Sequence, residues 1–307
     1  MLEELAYILL FVLAGYALRR VGVLGEEGGR ALVSVTLWLF LPALVLRSLW
    51  GTTLGELSAA LAPIGAGMAA TVVVALAWWR LAPRVTEAPR RAGVVALAAA
   101  FGNTGFLGFP VVLLLLGEEG LRIAVLYSLG WKVVFFTLGL AMAASFAGEA
   151  ASPRKMLKGL AAQPPMWATL VGLAMLALGL HPPAEVSGFF DLLAPATTPV
   201  IMISVGAFLS FRMDRSYLHP FAAVCAGKFL VLPLLSWAAC WLVGANDLQT
   251  ATVVLQGAMP PAIMLSILTS QFRLDEEFSS NVTFAATLVG VVGLAVGISL
   301  AGMGAGG

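Results

Sequence analysis

Charge is scarce in this chain. Of 307 residues only 11% are Asp, Glu, Lys or Arg, while 60% are hydrophobic. A soluble domain carries about 25% charged residues, so a water-exposed globule is excluded. A net charge of +1, with no basic patch or tail, excludes a nucleic-acid partner. Cysteine is nearly missing as well. Cys225 and Cys240 fall in one expected helix, roughly 22 Å apart at 1.5 Å per residue, beyond disulfide reach, and read as packing residues. The only histidines, His181 and His219, sit at expected span ends, so the histidine pair of an intramembrane zinc protease is lacking. No expected span carries a central Asp or Glu, and no intramembrane serine has a paired base, which removes aspartyl and serine chemistry. No catalytic residue, metal ligand or cofactor is expected, and the chain does not read as an enzyme.

What the chain has is long apolar runs. MLEELAYILLFVLAGYALRR places acids before its apolar stretch and arginines after it. A signal peptide has the reverse order, so this reads as a first transmembrane helix. Runs able to cross about 30 Å of hydrocarbon lie near 2–19, 31–50, 57–79, 92–117, 121–146, 165–180, 189–211, 219–243, 248–271 and 278–302. The expected fold is an all-α polytopic membrane protein of ten helices with short connections. Basic residues orient it. The odd-numbered connections hold Arg19, Arg20, Arg30, Arg80, Arg84, Arg90, Arg91, Arg154, Lys155, Lys158, Arg212, Arg215 and Arg273, thirteen of the seventeen. The even-numbered side holds only Arg47 and Arg122, near helix ends where they can snorkel. Both termini are expected outside a cell (inner) membrane, with the odd connections in the cytoplasm.

The halves echo each other, 1–150 and 151–307. Helix two has FLPALVL with Pro42, and helix seven has ATTPVIMI with Pro195 and Pro199. Helix four breaks at Pro110 in FGNTGFLGFP, and helix nine at Pro260–Pro261 in LQGAMPPAIML. Five spans are an odd number, so a second copy must insert upside down. Two inverted five-helix repeats, with broken helices 4 and 9 meeting at the midplane, are the architecture of many secondary transporters.

Proline removes a backbone donor and frees a carbonyl one turn earlier. In lipid such groups are tolerated only against protein or a water-filled cavity. Pro110 suits the first position of a segment running to about Gly117, and Pro260 or Pro261 the start of one running to about Phe272. Each would present a positive N-terminal end near the midplane. Asn103, Thr104 and Gln256 would add polar side chains beside the breaks. The plainer alternative is a kinked, packed helix with glycines at close contacts. Lys132 and Lys228 fall near the centres of helices five and eight. A lysine at that depth costs about 2.5–3.5 kcal/mol, and no central carboxylate stands ready to pair with either. An anionic ligand would balance them; the alternative for each is snorkelling or pairing with backbone carbonyls.

At FLPALVLRSL, NTGFLGFP, YSLGWKVVFFTLG and AMPPAIMLSIL the sequence resembles the auxin efflux carrier family. That family comprises plant auxin exporters and bacterial malonate or malate permease-like proteins, and its fold resembles that of bile acid–sodium symporters. The resemblance covers essentially the whole chain. It implies a scaffold of about 1–50 plus 165–211 and a transport part of about 57–147 plus 219–302, whose helices four and nine cross at their prolines. It further implies elevator-type alternating access for an organic carboxylate. On that reading the substrate-binding residues are Asn103, Thr104, Gly105, Pro110, Lys132, Lys228, Gln256, Pro260 and Pro261. Helix five in the family commonly carries asparagine where this chain has Trp131–Lys132. The expected function is secondary active or facilitative transport of a small organic anion, with export favoured by an inside-negative potential. The alternative is a sodium-coupled symporter of the bile-acid type. The expected partners are the anion and the lipid bilayer, with room for a homodimer through the scaffold part.

Overall fold

In apolar surroundings each backbone N–H must be bonded within its own segment, so leucine- and alanine-rich runs become helices. The computed structural model describes residues 2–208 and 214–304, and its regular elements among these are helical, without a strand. Arg212 lies outside the described residues. The helices are α1 (Leu2–Arg20), α2 (Glu26–Val35), α3 (Leu41–Trp50), α4 (Leu54–Leu81), α5 (Pro89–Ala100), α6 (Gly108–Val134), α7 (Leu140–Ala147), α8 (Pro153–Ala161), α9 (Pro164–Ala177), α10 (Ala184–Leu193), α11 (Thr197–Phe208), α12 (Leu218–Cys225), α13 (Leu232–Leu242), α14 (Asp247–Gly257), α15 (Leu265–Gln271) and α16 (Glu276–Gly304).

Single π-helical turns at Thr36–Phe40, Phe135–Gly139 and Ala226–Val231 carry α2 into α3, α6 into α7 and α12 into α13. Among the described residues, five stretches are long and apolar enough to cross a membrane: Glu27–Trp50, Leu54–Arg84, Gly108–Ala147, Ala184–Phe208 and Arg215–Leu242. Pro164–Ala177 is apolar but shorter. Two helix starts are fixed locally by side-chain caps. Thr53 with Glu56 forms a capping box on α4, and Asn246 with Gln249 does the same on α14, each satisfying two backbone donors at a helix start.

Two expected spans are interrupted. The run 92–117 is helical only to Ala100 and resumes at Gly108. Within α6, Gly117 then takes φ 70°, ψ −167°, a conformation essentially reserved for glycine. The run 248–271 is helical to Gly257 and again from Leu265.

The helices pack in two sets. In one, α1 lies along α11, α3 along α9 and α10, and α2 on α11. In the other, α4, α6, α13 and α14 pack together, joined by α5, α7, α12, α15 and α16. Contact between the sets is sparser, passing chiefly through α6 and α16.

Candidate functional site

The two interruptions meet. The N–H of Asn103 donates to the carbonyl of Pro260 at 2.7 Å, and the N–H of Ala262 donates to the carbonyl of Phe101 at 3.1 Å. Gly102 and Pro261 form the antiparallel bridge between them. Backbone groups released where α5 and α14 end are thus satisfied by the opposite segment, which buried backbone requires. The contact leaves no room for a side chain at residue 102. A Cβ there would stand 2.7 Å from both Lys228 Nζ and the Met259 carbonyl.

The prolines do not open the new helices. Pro110 is the third residue of α6, which starts at Gly108, and Pro260 and Pro261 precede α15 by several residues. The reason is capping. Asn103 Oδ1 accepts the Phe106 N–H at 3.1 Å, and the Asn103 carbonyl accepts the Gly108 N–H at 2.9 Å, so the turn closes before Pro110. In the first helical turn a missing N–H costs nothing, since those donors have no intrahelical partner. Pro260 and Pro261 instead hold extended backbone, and Pro260 offers its carbonyl to Asn103.

A cavity of about 30 Å³ adjoins the crossing, bounded by Gly102, Asn103, Thr104, Gly105 and Phe106 and by Ser128, Trp131, Lys132 and Gln163. Lys132 is 6% exposed; its amine donates to Ser128 Oγ at 2.7 Å, with the Ser128 carbonyl at 3.4 Å. Trp131 stacks on Phe135 with ring centroids 4.8 Å apart, and its indole N–H has no partner among the described residues. No carboxylate borders this cavity among the described residues. With the start of α6 close by, the lining is rich in donors and positive in sign.

The other expected residues part company here. Lys228, 1% exposed, lies in the π turn before α13 and donates to the carbonyl of Ala100 at 3.2 Å. That carbonyl ends α5, where a cation is favoured, and Lys228 does not border the cavity. Backbone-carbonyl pairing, the sequence alternative for a central lysine, is what it does. Gln256 packs against Gly108, and neither atom of its amide has a partner among the described residues. It borders neither this cavity nor the next.

Asn103 also borders a second, larger space of about 640 Å³ between α2, α11, α15 and α16. Its lining mixes hydroxyls, among them Ser34, Ser266, Thr269, Ser280 and Thr283, with the apolar Val33, Val205, Phe208, Ile263 and Phe284, and it includes Arg30 and Glu276. Asn103 therefore borders both a roomy vestibule of mixed polarity and the small cavity that Lys132 lines.

Sequence reading missed Ser128, Trp131 and Gln163. Ser128 was within reach, because it stands one helical turn before Lys132. Gln163 sits in the connection between α8 and α9, where no periodicity points to a cavity.

A family model described as membrane transport protein matches residues 1–298. An uncharacterized transporter of Methanothermobacter thermautotrophicus is 31% identical over 294 residues, 95% of each chain. An uncharacterized transporter of Escherichia coli is 25% identical over 303 residues, covering 94% of this chain and 93% of its own. A Rhizobium meliloti protein named "Putative malonate transporter" is 28% identical over 199 residues, 63% of this chain and 62% of its own. These relatives are named as transporters, not enzymes, and the chain belongs to the membrane transport protein family of auxin efflux carriers.

Proposed function

We propose that this transporter carries a small organic carboxylate, held beside the crossing of the unwound segments 101–107 and 258–264. The observation that carries this is Lys132: a buried amine at a donor-lined cavity without a carboxylate among the described residues. An anion offsets the cost of burying that charge, which water no longer does. Asn103, Thr104, Gly105 and the start of α6 supply further donors. Trp131 offers an indole N–H, and Lys228 supports the site by holding the end of α5. The malonate named for the Rhizobium relative fits this chemistry.

Counting α5 with residues 108–117 as one crossing, and α14 with α15 as another, is compatible with ten spans arranged as two inverted repeats. The first packing set then serves as the scaffold and the second as the moving part of an elevator. The basic residues favour the Arg30 face as cytoplasmic, so the vestibule opens inward. An inside-negative potential then drives export of an uncoupled anion by about 2.3 kcal/mol per charge per 100 mV.

The test is thermal stabilisation of the purified protein by malonate, malate and indole acetate, followed by uptake into proteoliposomes with and without sodium. A stabilising carboxylate is expected, since a ligand that binds only the folded state raises Tm. Lys132→Gln should weaken that carboxylate by roughly tenfold or more, the worth of a charge-assisted hydrogen bond, while Lys228→Gln should keep the ligand-induced shift. Stabilisation by none of the panel, or an unchanged response in Lys132→Gln, would count against the reading. Uptake that needs sodium would favour a symporter.

A further inference from the structure

The vestibule and a group of ion pairs lie at opposite ends of one continuous helix. Arg30 and Ser34 border the vestibule, and Arg47 stands near the other end of the stretch Glu27–Trp50. Seventeen residues at 1.5 Å each separate Arg30 from Arg47 by roughly 25 Å. Arg47 forks there: its Nε donates to Asp191 Oδ1 at 2.8 Å and its Nη1 to Glu118 Oε1 at 2.9 Å. Asp191 is on α10, which packs with α3 in the same set. Glu118 belongs to the other set and directly follows Gly117, the break in α6. Of the two pairs, only Arg47–Glu118 joins the sets.

We propose that the Arg47–Glu118 ion pair is a latch that keeps its face of the transporter shut while the vestibule face is open, an inference that rests on the alternating-access reading above. The strength of the pair suits that role. Arg47 is 35% exposed and Glu118 45% exposed, and half-exposed pairs are weak. Losing one shifts a two-state balance about two- to fivefold, enough to bias the resting state without locking it. Asp191 takes a separate nitrogen of Arg47, Nε, and spans no boundary between the sets.

Ser48 provides the reporter. It stands two helical turns from Leu41, which borders the small cavity, and so lies on the same stripe of α3, nearer the latch. Ser48 is buried, with no partner for its hydroxyl among the described residues. With Cys225 and Cys240 replaced by alanine, Ser48→Cys is reacted with a maleimide in the detergent-solubilised full chain, and Ser34→Cys serves as the vestibule reporter. Glu118→Gln is expected to speed modification at Ser48→Cys about two- to fivefold and to leave Ser34→Cys unchanged or slower. Asp191→Asn is expected to change neither. The latch is overturned by an unchanged rate at Ser48→Cys in Glu118→Gln, by the same rise in Asp191→Asn, or by a parallel acceleration at Ser34→Cys, the mark of general loosening. A silent Glu118→Gln would overturn the latch alone, because carboxylate binding and uptake by the parent protein are measured independently of it.

Discussion

Asn103 ties the crossing together through three of its polar groups. Its N–H pairs with Pro260, its carbonyl closes the turn onto Gly108, its side-chain oxygen caps the Phe106 N–H, and the residue borders both cavities. Two substitutions separate its capping role from its proposed contact with an anion. Asn103→Ala loses the cap, and a lower Tm is expected, equivalent to about 0.5–2 kcal/mol, together with reduced uptake. Asn103→Asp keeps an acceptor for the Phe106 N–H but places a negative charge beside the site. Its Tm should stay closer to that of the parent, while carboxylate-induced stabilisation should vanish. Equal ligand responses in the parent and Asn103→Asp would remove Asn103 from the site. Sequence alone singled out this residue by its place before Pro110. The loss of Lys228 from the cavity was not legible, because helix rotation decides which carbonyl a central lysine meets.

At the scale of the element, Gly117 divides a helix of 27 residues. The sequence reading ends the fourth span at Gly117 and begins the fifth at 121, with Glu118 and Glu119 between them, and the backbone breaks at that glycine. Only the backbone shows that residue 117 adopts a conformation from which side chains are excluded. Gly117→Ala should therefore cost about 1–3 kcal/mol of stability, read as a fall in Tm, even though no atom crowds the position. Gly105→Ala makes the comparison, being equally uncrowded without the positive φ, and should leave Tm nearly unchanged. The two interrupted spans were legible as regions, because proline and clustered glycine weaken a helix wherever they stand. Their boundaries moved by two to five residues, because Asn103 caps and strand-like pairing, both tertiary or turn effects, decide where helix resumes.

Across the whole molecule, the vestibule end is held by a second cluster. Arg91, from α5, donates to Asp275 Oδ2 at 2.8 Å, and its guanidinium lies 4.7 Å from the Tyr217 ring centroid and 5.7 Å from that of Phe278. Asp275 also caps α16 through the Phe278 N–H. One side chain thus ties α5, the turn before α12, and α16. Both partners are only about one-fifth exposed, so this pair is worth more than the surface latch. Arg91→Ala is expected to cost about 1.5–3 kcal/mol, the range for a charge-assisted hydrogen bond, seen as a lower Tm. Arg91→Lys should recover only part of it, since a lysine lacks the flat fork that bonds and stacks at once.

The amino-acid order by itself determined the membrane class, the helical content, the places where helices fail and the lopsided placement of basic residues. Each follows from local chemistry: hydropathy, backbone donors that must be satisfied nearby, and the cost of a charge in hydrocarbon. Tertiary structure alone decided that residues 101–103 pair with 260–262, that Lys132 faces a cavity while Lys228 closes a helix, and that Arg47 reaches Glu118. Those partners lie 71 to 161 residues apart in the chain, and which of them meet depends on how each helix is rotated and where it crosses its neighbours.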